Sequence, residues 1–404
     1  MGVEPDCPFT PGALAKVAYA GSQSASFVQA TKDLAALAEL SVSRERVQRW
    51  TKRIGRERVA ETEAQAAAYQ KLTLPARRTC PTDQVPQVAC VMADGGRIQI
   101  RPRQASAGDE DQQSNGYWRE TLVGCCLSMT SVTQAEDPCP TIPSTFVDPE
   151  RISQLAREIK GVSANSPAEA ALPEDARADR AGRPTPLVKS VVATRQGIEA
   201  FGTRLVAAAY ARGFHAAPRK AFVADGAATN WSVHQRHFSH YTPILDLTHA
   251  ICYVYAAAHA GRTTAEGWSA YRRWAQWLWE GSVEPLLAAL TTRSHELGPP
   301  GDQEAETSPR RVVAEALRYL TNQRSRMNYG VYRRQGLPIT SSAIESTIKQ
   351  INRRVKGSEK FWDQGAEPLL QLAADHLSET EPLRPFWRQR PRRLSHTRCY
   401  HAAA

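Results

Sequence analysis

The chain has 404 residues, with 51 Lys+Arg against 41 Asp+Glu and a formal net charge of +10; that length allows a large core and more than one domain, and the charge favours a polyanionic partner. No apolar run reaches the roughly 18 residues of a spanning helix, and the opening MGVEPDCPF lacks the basic and apolar regions of a signal peptide. Eight cysteines without a CxxC or regular spacing read as reduced thiols, so a cytoplasmic protein without membrane association is expected.

Residues 1–80 read as helical. Within them KDLAALAELSVSRERVQRWTKRIG gives two helices with a break near Ser41–Ser43. The second carries Arg44, Arg46, Arg49, Lys52 and Arg53, which suits either a helix-turn-helix reader of DNA or an amphipathic pair with a solvated basic face. From Pro86 the period changes. QVACVMADGGRIQIRP alternates and is β-branched, predicting a strand that ends near Asp94 and a second strand after the glycines. A polar loop, RQASAGDEDQQSNG, then leads into a strand at YWRETLVGCCLSMT. Residues 161–186, rich in Pro, Ala and charge, predict a flexible insertion. A helix is expected over roughly Lys189–Arg212, then a strand at KAFVADG, a short strand at HYTPILDL and a helix at THAICYVYAAAHA. Residues 266–330 read as all-helical, with Trp268, Trp274, Trp277 and Trp279 close together. This order predicts a mixed α/β core (86–260, closing at 336–380) that carries a helical insertion at 261–335. Residues 324–404 hold 15 Lys/Arg against 7 Asp/Glu, so most of the net charge is local, as a phosphate-binding surface requires. The tail 381–404 reads as basic and disordered.

Three carboxylates occupy telling positions. Asp94 in VACVMADGG and Asp225 in KAFVADGA each end a short apolar run and precede glycine, and Glu345 lies near the start of a helix that turns basic. Transfer at a phosphodiester through two Mg²⁺ ions needs oxygen ligands of this kind. Adjacent parallel strands bring Asp94 and Asp225 side by side, and Gly95, Gly96 and Gly226 let the backbone turn away. Taken singly, each Asp-Gly is also a turn signal. Ser342-Ala-Ile-Glu345 likewise matches a capping box, and Lys349 offers Glu345 an ordinary ion-pair partner four residues on. Ile344, Ile348, Ile351 and Val355 form the buried stripe of that helix, with Glu345, Lys349, Arg353 and Lys356 on the adjacent face. His234, His237 and His240 recur at three-residue spacing, but nothing nearby completes a zinc set, so they are expected at the surface or facing DNA. No Walker A loop, dinucleotide fingerprint or HExxH is present.

VMADGGRIQI, WRETLVG, FVADGAATNW, ILDLTHA, GLPITSSAIESTIKQINRRVKGSEKFW and DQGAEPLLQLAADHL, in this order over roughly residues 86–380, resemble a DDE-type transposase of a bacterial insertion sequence. They are most similar to the Mutator-like branch, with its RNase H-like catalytic core. The resemblance implies that Asp94, Asp225 and Glu345 are the catalytic triad and hold two Mg²⁺ ions, with Mn²⁺ able to substitute. Their separations, 131 and 120 residues, leave room for the helical insertion that this branch carries before its Glu. It also implies that Asp246 and His249, a D-x-x-H motif, support the active site or the DNA end rather than bind metal. Lys349, Arg353, Arg354 and Lys356 are expected on phosphates. Trp362 either stacks on an unpaired base or fills a structural corner. The implied partner is double-stranded DNA, as terminal inverted repeats and target, gripped by a homodimer or larger assembly. A DNA-binding relic or repressor descended from such an enzyme, and an RNase H-like nuclease that cuts without joining, are the alternatives.

Overall fold

In the computed structural model, residues 7–100, 118–159, 183–356, 360, 362 and 365–390 are described. Small polar residues open many of the helices by accepting a bond from an otherwise unpaired N–H of the first turn. Thr10 caps α1 (Pro11–Gln23), Ser26 caps α2 (Phe27–Ala38) and Ser43 caps the 28-residue α3 (Arg44–Lys71). A short α4 (Leu74–Arg78) leads to strands β1 (Val88–Gln99) and β2 (Trp118–Thr130), α5 (Pro149–Ile159) and β3 (Thr185–Thr194). There follow α6 (Ile198–Ala211), β4 (Arg219–Ala224), α7 (Ala228–His237), β5 (Thr242–Leu245) and α8 (Leu247–His259). The helices α9 (Thr264–Glu280), α10 (Val283–Leu297), α11 (Pro309–Asn322) and α12 (Tyr329–Arg334) come before α13 (Ser342–Val355) and α14 (Ala366–Leu377).

The five strands form one mixed sheet in the order β3-β2-β1-β4-β5. β1 and β2, and β2 and β3, run antiparallel, while β4 pairs parallel to β1 and β5 parallel to β4. The fold is therefore mixed α/β, as expected. Successive residues of a strand face opposite sides. In β2 a Cβ on Gly124 would strike Leu205 and Phe201 of α6, whereas the next residue, Cys125, meets Thr347 of α13. One sheet face is thus covered by α6 and the other by α13, and residues 88–93, 121–127 and 221–224 between them are buried.

Two strand assignments differ from the sequence reading. No turn occurs at Gly95 and Gly96: β1 runs straight through both and stays paired with β2 from Val88↔Met129 to Gln99↔Trp118. The pairing partner overrides the local turn propensity of Asp-Gly-Gly, and of these glycines only Gly226 adopts a left-handed φ, of 96°. The helix expected from Lys189 begins only at Ile198, because the β-branched run Val188, Val191 and Val192 joins the sheet edge as β3. Gly197, at φ 89°, makes the break. Residues 101–117 and most of the 161–186 stretch lie outside the described residues.

The N-terminal helices do not stand apart. Leu14, Val17, Leu34, Val47, Trp50 and Ile54 share one apolar cluster with Leu372 of α14 and Phe386. Residues 383–390, read from sequence as a disordered tail, are helical, with Phe386 buried and Arg390 paired to Glu57 at 2.7 Å; residues 391–404 lie outside the described residues. Buried arginines reinforce this seam. Arg58 of α3 donates to both oxygens of Asp375 (2.8 and 3.1 Å), and Arg204 of α6 to Glu367 (2.9 Å). Among the described residues no helix is long and apolar enough to cross a membrane, and the seven described cysteines are free.

Candidate active site

Asp94 and Asp225 are brought together by sheet register. β1 and β4 pair in parallel through Ala93↔Ala224, and each aspartate is the next residue on its strand. Beyond Ala224 the two chains part. β1 continues along β2, whereas Gly226 turns the chain toward α7, and the Tyr319 ring occupies the place where a Cβ on Gly226 would sit. Asp225 Oδ1 accepts from the Ala227 amide (3.0 Å) and Asn230 Nδ2 (2.8 Å), which fixes the carboxylate's orientation. Asp94 Oδ1 accepts from the Gly95 amide at 2.6 Å. Burial, then the nearby charges of Asp225 and Glu345, push the Asp94 carboxyl up to about 7, although the Gly95 bond and His249 oppose the rise.

The third carboxylate arrives from α13. Ile344, Ile351 and Val355 are buried as expected and Ile348 partly so, which seats the helix on β1 and β2. The capping box predicted at Ser342 is not made. Ser341 is the N-cap residue and makes no side-chain cap; instead its Oγ donates to Glu345 Oε1 at 3.2 Å. Glu345 is raised above the usual carboxylate range by burial and by the charge of Asp246.

Asp246 is fully buried and all its bonds are internal. Oδ1 accepts from the Ser341 amide (2.7 Å), and Oδ2 accepts from the His249 amide (2.9 Å) and lies 2.7 Å from His249 Nδ1. It therefore caps α8, orients the His249 ring and ties the segment before α13 to the sheet. Burial alone would lower His249, but the bond to Asp246, with the charges of Asp246, Asp225 and Glu345, raises it to about 9. The imidazolium then lies close to these acids, and Lys349, one turn beyond Glu345 on α13, also lowers the Glu345 carboxyl.

Among the described residues one set has its donor atoms close enough together to share a divalent cation, and Asp94 and Asp225 lie outside it. One ligand atom each of Asp246, His249 and Glu345 lie within 4.8 Å of one another. An ion there would have to displace the bonds that already occupy both Asp246 oxygens. Asp94, Asp225 and Glu345 offer carboxylate oxygens that are partly exposed and mutually repelling, the chemistry a hard cation such as Mg²⁺ selects.

The basic helix divides differently from the sequence expectation. Lys349, Arg353 and Lys356 are exposed, and Lys356 Nζ lies 5.7 Å from the Trp118 ring. Arg354 is buried instead. Its guanidinium donates to the Gly21 carbonyl (3.2 and 3.0 Å) and sits over Phe27 and Trp362, and burial lowers it to about 10. Trp362 takes the structural place of the two weighed for it: it is 8% exposed, and its Nε1 donates to the Val355 carbonyl at 2.6 Å. Arg46 and Arg49 are exposed on α3. His234, expected at the surface, is buried with Nε2 3.0 Å from the Tyr241 carbonyl, because its side of α7 packs on Phe222; His240 is exposed and His237 half-buried against Gly202.

Asn230, Tyr319, Gln323 and Ser341 contribute to the site and were not singled out by sequence. Asn230, five residues beyond Asp225, and Ser341, four before Glu345, had a local signal; Tyr319 and Gln323 act through partners distant in the chain. Neither a scan of protein-family models nor a search of curated proteins returns a match for this chain.

Proposed function

We propose that this chain is a DDE-type transposase that cuts DNA and transfers strands at the ends of an insertion sequence. The observation that carries the reading is the approach to one another of Asp94 on β1, Asp225 just past the end of β4 and Glu345 of α13, where burial and the charges of Asp225 and Glu345 raise Asp94. The mixed sheet is compatible with the RNase H-like core expected from the sequence, and α9–α12 lie between Asp225 and Glu345, the stretch proposed as its helical insertion.

Asp94, Asp225 and Glu345 would hold Mg²⁺, with Mn²⁺ able to replace it. Bound there, the ions supply a Lewis acid that activates the attacking oxygen and offsets charge on the leaving one. Asn230 and the Ala227 amide hold Oδ1 of Asp225 and fix the carboxylate that faces the substrate. Asp246 keeps Ser341 and His249 in place, and the His249 charge limits the repulsion between acids packed this closely. In the first step a water oxygen attacks the phosphorus, the P–O3′ bond breaks and a 3′-hydroxyl is released. In the second that hydroxyl attacks a target phosphodiester, forming one ester bond as another breaks. Lys349, Arg353 and Lys356 line a track suited to phosphates, and Arg46 and Arg49 offer a second basic surface on α3. Two element ends joined in one reaction call for at least a dimer on double-stranded DNA.

The test incubates purified protein with duplex DNA carrying the element's terminal repeats and Mg²⁺, comparing wild type with Glu345→Gln and Asp225→Asn on denaturing gels. Nicked and joined products from wild type alone, with all three proteins binding DNA, support the reading. Nicking without joining would mark a nuclease. DNA binding without cutting, under Mn²⁺ as well, would mark a non-catalytic binding protein and end the catalytic claim.

A further inference from the structure

We infer that Tyr319 and Gln323, reaching in from α11 and the residue after it, are positioning residues that hold the Asp225–Gly226 turn. The inference rests on the function proposed above and extends it to residues outside the sheet. β4 loses both its strand partners at Ala224, where it pairs with Ala93 on one side and Leu245 on the other. The next two carbonyls therefore leave the sheet's ladder, and buried carbonyls need donors. Both donors come from the helical segment about a hundred residues on. Tyr319 donates its hydroxyl to the Asp225 carbonyl, and Gln323 donates Nε2 to the Gly226 carbonyl at 3.1 Å.

The clamp is itself braced. The Tyr319 ring stacks on Tyr253 of α8, with centroids 3.9 Å apart and planes at 15°. Tyr253 lies one turn beyond His249 on the same helix, so α8 supports both the histidine and the clamp. Gln323 Oε1 accepts from Arg326 at 2.6 Å, and the Arg326 guanidinium lies 4.2 Å from the Trp231 ring of α7. The residue before Trp231 is Asn230, which holds the Asp225 side chain. Backbone and carboxylate of Asp225 are thus fixed from α11 and α7 together. Glycine is needed at 226 on two counts: its φ is left-handed, and the Tyr319 hydroxyl and ring atoms lie 2.8–3.0 Å from where a Cβ would sit. A carboxylate moved by even a fraction of an ångström loses alignment with its neighbours, so the clamp sets how well Asp225 meets a cation.

Tyr319→Phe deletes the hydroxyl and keeps the ring stack, and Gln323→Ala removes the second donor without touching the stack. Mn²⁺ uptake by the full chain, followed by loss of the free-ion electron paramagnetic resonance signal, reads the site without requiring turnover. Each variant is expected to bind Mn²⁺ about fivefold more weakly, the scale of one hydrogen bond, and to need a similarly higher Mg²⁺ concentration for half-maximal nicking. DNA affinity is expected to stay at the wild-type value and melting to remain cooperative, with the melting temperature lowered by only a few degrees for the lost donor, which a loss of folding would not allow. If both variants bind Mn²⁺ and nick as wild type does, the inference is overturned while the proposed function stands. If wild type takes up no Mn²⁺, or Asp225→Asn takes up as much as wild type, the proposed function falls and this inference with it.

Discussion

In the seam between α3 and α14, Asp375 and Glu367 are almost wholly buried and each is met by an arginine, Arg58 and Arg204. In the cleft beside Asp94 of β1 and the end of β4, Asp94 and Glu345 are also drawn out of water, yet Asp94 faces the charges of Asp225 and Glu345. A buried carboxylate with a bidentate arginine and further donors, such as Gln371 on Asp375, is part of the frame. Burial raises Asp375 too, but Arg58 and Gln371 pull it back, whereas Asp94 is raised by burial and by its neighbouring carboxylates together, and such penalties gather where a charged ligand is to be bound. The same residue type thus reads as architecture in one place and as chemistry in the other, and its partners decide which.

The largest effect that separates the two regions is on turnover. Glu345→Gln and Asp225→Asn should each lower strand cleavage by at least about 10³-fold, as expected for members of a unit that acts together. Asp375→Ala should leave cleavage per folded molecule unchanged on the same gels. Stability should show the reverse. Asp375→Ala leaves the buried Arg58 with Glu61 alone of its two carboxylate partners and should cost about 1.5–3 kcal/mol in denaturant unfolding, a loss that neither cleft variant should approach.

A smaller contrast divides the arginines of α13. Lys356→Ala or Arg353→Ala should lower the slope of log affinity against log salt for DNA by about 1 each, if each meets one phosphate. Arg354→Met should leave that slope alone and instead cost roughly 1–3 kcal/mol of stability, because the Gly21 carbonyl loses its buried donors.

Much of this was legible in the sequence, for a physical reason. Asp94 and Asp225 stand at matching points because apolar runs of neighbouring parallel strands end together, and the stripe of Ile344, Ile351 and Val355 follows from helical period alone. What was misread depended on partners far along the chain. The Asp-Gly-Gly of β1 stays extended because β2 pairs with it, and Val188–Thr194 is a strand because β2 offers an edge. Arg354 turns inward to a carbonyl 333 residues away. Tyr319 and Gln323 carry no local mark, since their bonds go to backbone atoms of the Asp225 turn.

The pH dependence extends the comparison. Asp94 is raised from 3.8 to about 7, so the folded state holds its proton more tightly, and stability is lost as pH rises between about 4 and 7. His249, raised from 6.5 to about 9, stabilises fully below 6.5 and loses that contribution as pH rises through 9. Asp94→Asn should flatten the first fall and leave the second in thermal melts across this range.

The most direct single measurement is urea unfolding of wild type and Asp94→Asn at pH 8, each with and without Mg²⁺. Without the ion, removing the Asp94 charge should stabilise the fold by on the order of 1–3 kcal/mol, less than the full shift implies because the group is partly reached by solvent. Adding Mg²⁺ should stabilise wild type and leave the variant nearly unmoved. A variant that is instead destabilised, with Mg²⁺ changing neither protein, would contradict the claim that the cleft holds mutually repelling carboxylates poised for a divalent cation.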